Sequence, residues 1–209
     1  MRHTLLLSAV FTVLSIGAQA YSQYIYMDAN GDGVCTTAEV LSSSTKSVDI
    51  WLNTNHNAAG STSICSNPSE PLDIFSYDII LHASGAGGVQ YKSWSNNMTN
   101  YALFSGFAVS GADMGVGYQA PFGTFNVGGL YKLGSISVAV TGSPTLTFLT
   151  SPPNGSGIPS SFTGFGSPCD ASEYPNTIAL GLDFQDTCGT SSWAPTETTT
   201  WGRIKQLYR

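Results

Sequence analysis

Apolar and polar residues alternate with a period of two over much of the chain, the spacing of half-buried β-strands. Between Thr45 and Asn53, Val48, Ile50 and Leu52 share one face, and Asp49 and Asn53 take the other. Ser135 to Thr141 places Ile136, Val138 and Val140 inward and Ser135, Ser137 and Thr141 outward. Leu72 to Ala83 is apolar on both faces, which predicts a strand in the middle of a sheet. Val89 to Trp94, Tyr101 to Val109, Thr145 to Leu149 and Thr177 to Leu182 read as further strands, and Tyr24 to Met27 as a short one before them. Gly85-Ala86-Gly87-Gly88 predicts a turn between two strands. Ser110 to Phe125, rich in glycine and aromatics, reads as a long loop or a broken strand. Ser151 to Pro168, with three prolines inside it, reads as irregular surface chain. Helical spacing is confined to Thr36–Leu41 and Thr200–Tyr208. Together these predict an all-β fold, an antiparallel β-sandwich with one short helix near its start and a short helical tail.

The ends differ from the body. Residues 1–20 have a basic start at Arg2 and His3, an apolar run from Leu5 to Ile16, and small residues at Ala18 and Ala20. This is the layout of a secretory signal peptide cut before Tyr21, and the run is short of the roughly 20 residues that span a bilayer. An exported chain with no later membrane span is expected, with residues 21–188 as one domain, secreted or held at the cell surface. Residues 189–200 are rich in Ser, Thr and Pro and read as a linker. In 201–209, Trp201, Ile204, Leu207 and Tyr208 fall on one helical face. That tail is either a terminal helix or a signal read by export or anchoring machinery. The chain has 13 Asp and Glu against 7 Lys and Arg, a net charge of −6, and losing Arg2 with the leader takes it to −7. Phosphate recognition needs Lys and Arg, so nucleic acid is excluded as a partner, and divalent cations and neutral ligands are favoured.

The densest chemistry lies between Asp28 and Glu39. Asp28-Ala29-Asn30-Gly31-Asp32-Gly33-Val34-Cys35-Thr36-Thr37-Ala38-Glu39 matches D-x-[DN]-x-[DN]-G-x5-E at every specified position. In such a calcium loop, Asp28, Asn30 and Asp32 supply side-chain oxygens and Val34 its carbonyl. Thr36 acts directly or through water, Glu39 closes the site with both carboxylate oxygens, and Gly33 makes the sharp turn. The segment before it, Tyr24 to Met27, reads as a strand instead of an entering helix, and there is no second loop. A structural Ca2+ ion is therefore expected, not a calcium switch.

Cys35, Cys65, Cys169 and Cys188 are an even set in an exported chain, which implies two disulfides with three possible pairings. Cys35–Cys65 with Cys169–Cys188 closes two local loops and is the favoured pairing. No C-x-x-C pair supports zinc. A Cys35–Cys65 bridge would pin the calcium loop to the rest of the domain.

The loop from Asp28 to Gly33 with its short helix resembles half of a dockerin repeat. The stretches Ser47-Val48-Asp49-Ile50-Trp51-Leu52, Ile74 to Leu81 and Tyr131-Lys132-Leu133-Gly134-Ser135-Ile136-Ser137-Val138 resemble a cohesin-type sandwich, a fold shared with carbohydrate-binding modules. The resemblance covers about half of the exported chain and implies a binding or adhesion module that meets a polysaccharide or a cell-surface protein. Trp51 and Trp94, set by strand parity on the face away from the core, are the candidate sugar platform. His56 and His82 stand in no catalytic motif, and no G-x-S-x-G elbow occurs. A non-catalytic module is expected. A structural surface protein held by its tail is the second reading, and a glycoside hydrolase using a carboxylate pair is the third.

Overall fold

The computed structural model describes residues 23–36, 39–56, 73–98, 102–121, 124, 126–160, 163–167, 178–180 and 183–184. The leader, the linker, the tail and Cys65, Cys169 and Cys188 lie outside them. Among the described residues the chain is all-β and built on antiparallel pairing, with nine strands. These are β1 Tyr24–Asp28, β2 Ser47–Asn53, β3 Ser76–Asn96, β4 Phe104–Ser110, β5 Asp113–Gln119, β6 Leu130–Phe148, β7 Gly164–Ser167, β8 Ile178–Leu180 and β9 Asp183–Phe184. The sheet runs β4-β5-β3-β6-β2-β1-β9, with β7 bonded to β3 and β8. Among the described strand pairs only β1–β9 is parallel.

Two strands dominate. β3 has 21 residues and β6 has 19, and they pair from Leu81 opposite Phe148 to Asn96 opposite Gly134. Four expected strands are thus halves of two. The glycine run at 85–88 is not a turn: it continues β3 opposite Thr141 to Pro144 of β6. The correction has a steric origin. Gly85, Gly87 and Gly142 have φ of +89°, +137° and +67°, conformations that bend a strand where L side chains resist. A Cβ at Gly87 would stand 2.0 Å from the Thr141 carbonyl oxygen, and one at Gly142 would stand 2.4 Å from that of Ala86. The two backbones cross the bend so closely that neither glycine has room for a side chain.

Past the bend, β3 folds back over itself. The Trp94 indole N–H donates to the Tyr77 hydroxyl at 3.2 Å, and that hydroxyl donates to Asn96 Oδ1 at 2.9 Å. Tyr91 reaches the carbonyl of Ala112 at the β4–β5 turn. One apolar core therefore draws Ile25, Ile50 and Leu52 from one half of the sheet, and Ile79, Met114 and Val116 from the other. Burial holds the Tyr77 and Tyr91 hydroxyls well above the ordinary phenol range, so both stay protonated donors.

Ser110–Phe125 is corrected as well. Its centre is β5, paired on both sides. Met114, Val116 and Tyr118 point into the core, and the glycines between them face outward. The alternation is complete, but glycine instead of a polar residue marks the outer face. Gly115 leaves space for Ile158, whose Cγ2 would stand 2.3 Å from an added Cβ. The segment expected as surface chain thus packs down: Ile158 and Ser160 are buried. Thr163 Oγ1 also accepts the N–H of Ile80, and residues 164–167 of the same stretch form β7.

The expected helix at Thr36–Leu41 does not form among the described residues of that stretch, where a single backbone bond, Glu39 N to Thr36 O at 3.3 Å, turns the chain. No helix among the described residues is long and apolar enough to cross a membrane.

Two outcomes follow from this packing. Gly87→Ala should lower stability by about 1–3 kcal/mol, the scale of a strained backbone site. Gly111→Ala, at φ +61° with nothing within 4 Å, should cost less, both read as shifts of the urea midpoint. Equal costs would show that the bend is not tight. At Asp78, burial raises the carboxyl above its ordinary value against the lowering effect of its hydrogen bond with Ser160. A folded value above the unfolded one gives stability that is full below the unfolded pKa, about 3.9, and is lost as pH rises through the folded pKa. Asp78→Asn should therefore unfold later than the wild type at pH 7 and alike at pH 3. A weaker variant at pH 7 would make the Ser160 bond the dominant effect.

Candidate metal centre in the Asp28–Glu39 loop

The loop starts on the last residue of β1. Asp28 is paired with Asp49 of β2, so the ladder fixes its backbone, and its side chain is 1% exposed. Its two oxygens accept the N–H groups of Gly31 at 2.6 Å and Gly33 at 2.7 Å, which coil the chain around the carboxylate. Asn30 Oδ1 accepts from the N–H of Asp32 at 2.9 Å, and Asp32 Oδ1 from that of Val34 at 2.8 Å, the local side-chain turns that Asp and Asn favour. Gly31 and Gly33 have φ of +79° and +77°, which permit the tight winding.

Glu39 closes the ring from the far end. It is fully buried, and its Oε2 accepts the N–H groups of Ala29 at 2.7 Å and Asn30 at 3.1 Å. Thr36 Oγ1 donates to its Oε1 at 3.2 Å. Asp28, Asp32 and Glu39 each offer a carboxylate oxygen, all within 4.8 Å of one another. The structure thus brings the carboxylates of Asp28, Asp32 and Glu39 together, with Asn30 bonded to Asp32 and Thr36 to Glu39, while Val34 contributes its N–H. Asp32 is exposed and leaves the cluster open to solvent. No Lys, Arg or His pairs with these carboxylates among the described residues; the two ion pairs there are Lys132–Asp49 and His82–Asp113. Two buried carboxylates side by side repel, and a divalent cation between them would offset that repulsion. The donors are hard oxygens, each carboxylate keeping lone pairs beyond its bonds to the loop, and that set fits Ca2+ or Mg2+ and not a soft metal.

The loop is gripped from behind by residues outside the motif. The Tyr26 hydroxyl donates to the Gly33 carbonyl at 2.7 Å. Trp51 lies opposite Tyr26 across β1 and β2, their rings parallel within 5° and 6.3 Å apart. The indole edge presses on Gly33, where an added Cβ would meet Cζ2 at 3.3 Å. Burial, then Tyr24 and the loop carboxylates, hold the Tyr26 hydroxyl well above the ordinary phenol range, so it remains a donor. Tyr26 was visible as a strand residue, but nothing in the motif marks it as a support.

The two candidate platform residues part company. Trp51 is on the outer face, as parity predicts, half-covered by Tyr26 and the loop, and its indole N–H is buried with no hydrogen-bond partner. Trp94 turns inward against the core. A bulge between Tyr91 and Ser93 displaces Lys92 from the ladder, so Trp94 falls opposite inward-facing Ile136 and counting by twos from Lys92 fails. Its indole lies over Gly134, where a Cβ would stand 2.4 Å from Trp94 Cζ2. Cys35 is disulfide-bonded, and its partner lies outside the described residues, as do the expected partner Cys65 and the pair Cys169 and Cys188. His56 is exposed, and His82 Nδ1 sits 2.6 Å from Asp113 Oδ1 at the end of the β3–β5 ladder.

Compared with known proteins, the chain matches no family model, no curated protein and no solved structure.

Because Trp94 packs against the core and bonds to Tyr77, Trp94→Ala should cost about 3 kcal/mol of stability, measured by urea unfolding. A loss below about 0.5 kcal/mol, the range of ordinary surface changes, would return Trp94 to the surface.

Proposed function

We propose that this chain is an exported β-sheet module, stiffened by one Ca2+ ion in the Asp28–Glu39 loop, that works by binding a polysaccharide or a cell-surface partner and not by catalysis. The observation that carries the ion is the convergence of Asp28, Asp32 and Glu39 within 4.8 Å, two of them buried and none paired with a cationic side chain among the described residues. Asp28, Asn30, Asp32, Thr36 and Glu39 would hold the ion with the Val34 carbonyl. Bound there, it would supply the positive charge that the two buried carboxylates lack. A single loop entered from a strand offers no second helix to swing, so the ion acts as a fixed staple.

The sheet that folds over a single core supports a two-layered sandwich of the cohesin and carbohydrate-binding-module kind. For the ligand, Trp51 is the one of the two candidate tryptophans on an outer face, half-buried there like Tyr24, with the buried Tyr26 stacked between them as support, and such a flat aromatic face suits a sugar ring.

Ca2+ at 100 times its Kd should stabilise the protein by about 2.7 kcal/mol, read as a rise in Tm, and Glu39→Gln should remove that rise. Chelation should leave the far-ultraviolet β signal in place. Tb3+ bound in the loop should luminesce on excitation at 280 nm, and Trp51→Phe should dim it. Identical melting of wild type and Glu39→Gln with and without Ca2+ would end the ion reading. A polysaccharide array probed with wild type and Trp51→Ala tests the ligand separately: no binding to any glycan would remove carbohydrate as the partner.

A further inference from the structure

We infer that the outer edge of β4 is the pairing site for a second copy of this chain, the two β4 strands running antiparallel about a twofold axis at Phe107. The inference is independent of the ion and of the ligand proposed above.

β4 ends the sheet: among the described residues it is bonded to β5 alone. Its alternate N–H and C=O groups therefore point away from the sheet, a template for another strand. Proteins usually blunt such an edge with a charge, a proline or a bulge. β4 has none of these. Phe104-Ser105-Gly106-Phe107-Ala108-Val109-Ser110 holds no charged residue and no proline, and its register runs unbroken from Phe104 opposite Gln119 to Ser110 opposite Asp113. The other end of the sheet differs, since β9 pairs with β1 there. The side chains of β4 add to the exposure. Directly paired residues share a face, so Phe107 and Val109 lie on the core side with Val116 and Met114. Val116 and Met114 are 1% and 0% exposed, but Phe107 and Val109 are 36% and 45% exposed. The core thus stops one strand short of the edge, and β4 carries apolar surface that a further strand beside it would cover.

Charge, pattern and size favour a copy of the same chain as that strand. The chain carries a net charge of −6, so two copies repel overall. Met98 to Ala112 holds no charged residue, and copies that meet along β4 oppose no like charges there. The next charge, Asp113, already has His82 at 2.6 Å. The pattern is compatible with its own reverse. Antiparallel pairing centred on Phe107 sets Phe107 opposite itself, Ser105 opposite Val109 and Gly106 opposite Ala108. The two Phe107 rings then meet at the axis on the core side, and small residues meet on the other face. A strand of seven residues is an edge about 23 Å long. That makes a small interface, near or below about 1,200 Å2 in total, of the weak and reversible kind. A twofold contact uses the same edge of both copies and stops at two.

The test is sedimentation equilibrium of the full exported chain from about 1 μM to about 1 mM, the range that populates a weak interface. A reversible rise in mass that stops at twice the monomer is expected. Because the strip is neutral, about 0.5 M NaCl should preserve or tighten the dimer by screening the net charge. Phe107→Lys sets two ammonium groups at the axis and removes apolar contact, so it should weaken the dimer about tenfold. Val127→Lys, at a residue 75% exposed outside β4, should leave it unchanged. Hydrogen exchange of the wild type reads the same edge without a variant. Amides of residues 104–110 should exchange more slowly as concentration rises, which decides the matter even if Phe107→Lys fails to fold. A monomer throughout the concentration range overturns the inference, and so does dissociation by salt. A dimer that Phe107→Lys leaves intact, or that gives residues 104–110 no protection, overturns it too, because the contact then lies elsewhere. Growth beyond the dimer overturns the twofold pairing.

Discussion

The β3–β6 ladder is the constraint on which the other contacts depend. Its pairs run without interruption across the glycine bend, from Leu81–Phe148 to Tyr91–Val138, and resume past the bulge at Ser93–Ser137. Because the ladder survives the bend, the two halves of the sheet cannot drift apart. β5 and β4 are carried on one half of β3, and β2 and β1 on the other half of β6. The core then closes between surfaces that are already joined by main-chain hydrogen bonds. The glycines make this possible by having no Cβ, and they also set its weakness, since the bend buries little: Ser84 to Gly87 and Thr141 to Ser143 are exposed, and only Pro144 of the residues opposite the glycine run is buried.

Much of this was legible in the alternation of residues. β2 and the apolar stretches of β3 and β6 read directly, because a period of two with one buried face has few other solutions. Their fusion did not read, because a glycine run looks the same whether it reverses a strand or bends one. The difference is the partner strand, and Thr141–Pro144 lies more than fifty residues away. β5 was missed for a related reason: its outer face is glycine, made necessary by Ile158, which is also distant in sequence. The inward turn of Trp94 depends on one bulged residue, Lys92, and a bulge leaves no reliable mark in sequence. The loop was legible residue by residue, since its bonds span ten positions or fewer. Its supports, Tyr26 and Trp51, were not, because they belong to the sheet. Among the described residues of 36–41 no helix forms, and the Glu39 carboxylate instead accepts the N–H groups of Ala29 and Asn30.

The electrostatics of the loop and of the sheet meet at one cross-strand pair. Asp28 of β1 and Asp49 of β2 are direct partners, and like charges directly opposite on a sheet repel. Each is relieved from a different side. Asp49 receives the Lys132 ammonium at 2.5 Å and the Ser135 hydroxyl at 2.6 Å, both from β6. Asp28 receives only the N–H groups of Gly31 and Gly33, which are neutral dipoles and do not cancel a charge. The sheet thus balances one member of the pair with a cation of its own and leaves the other to the loop. A divalent ion between Asp28, Asp32 and Glu39 would complete the balance. It would lower the repulsion across β1–β2 as well as within the loop, and so steady the outer strands against β6. The stabilising effect of such an ion would then extend into the sheet itself, beyond the twelve-residue loop that would hold it.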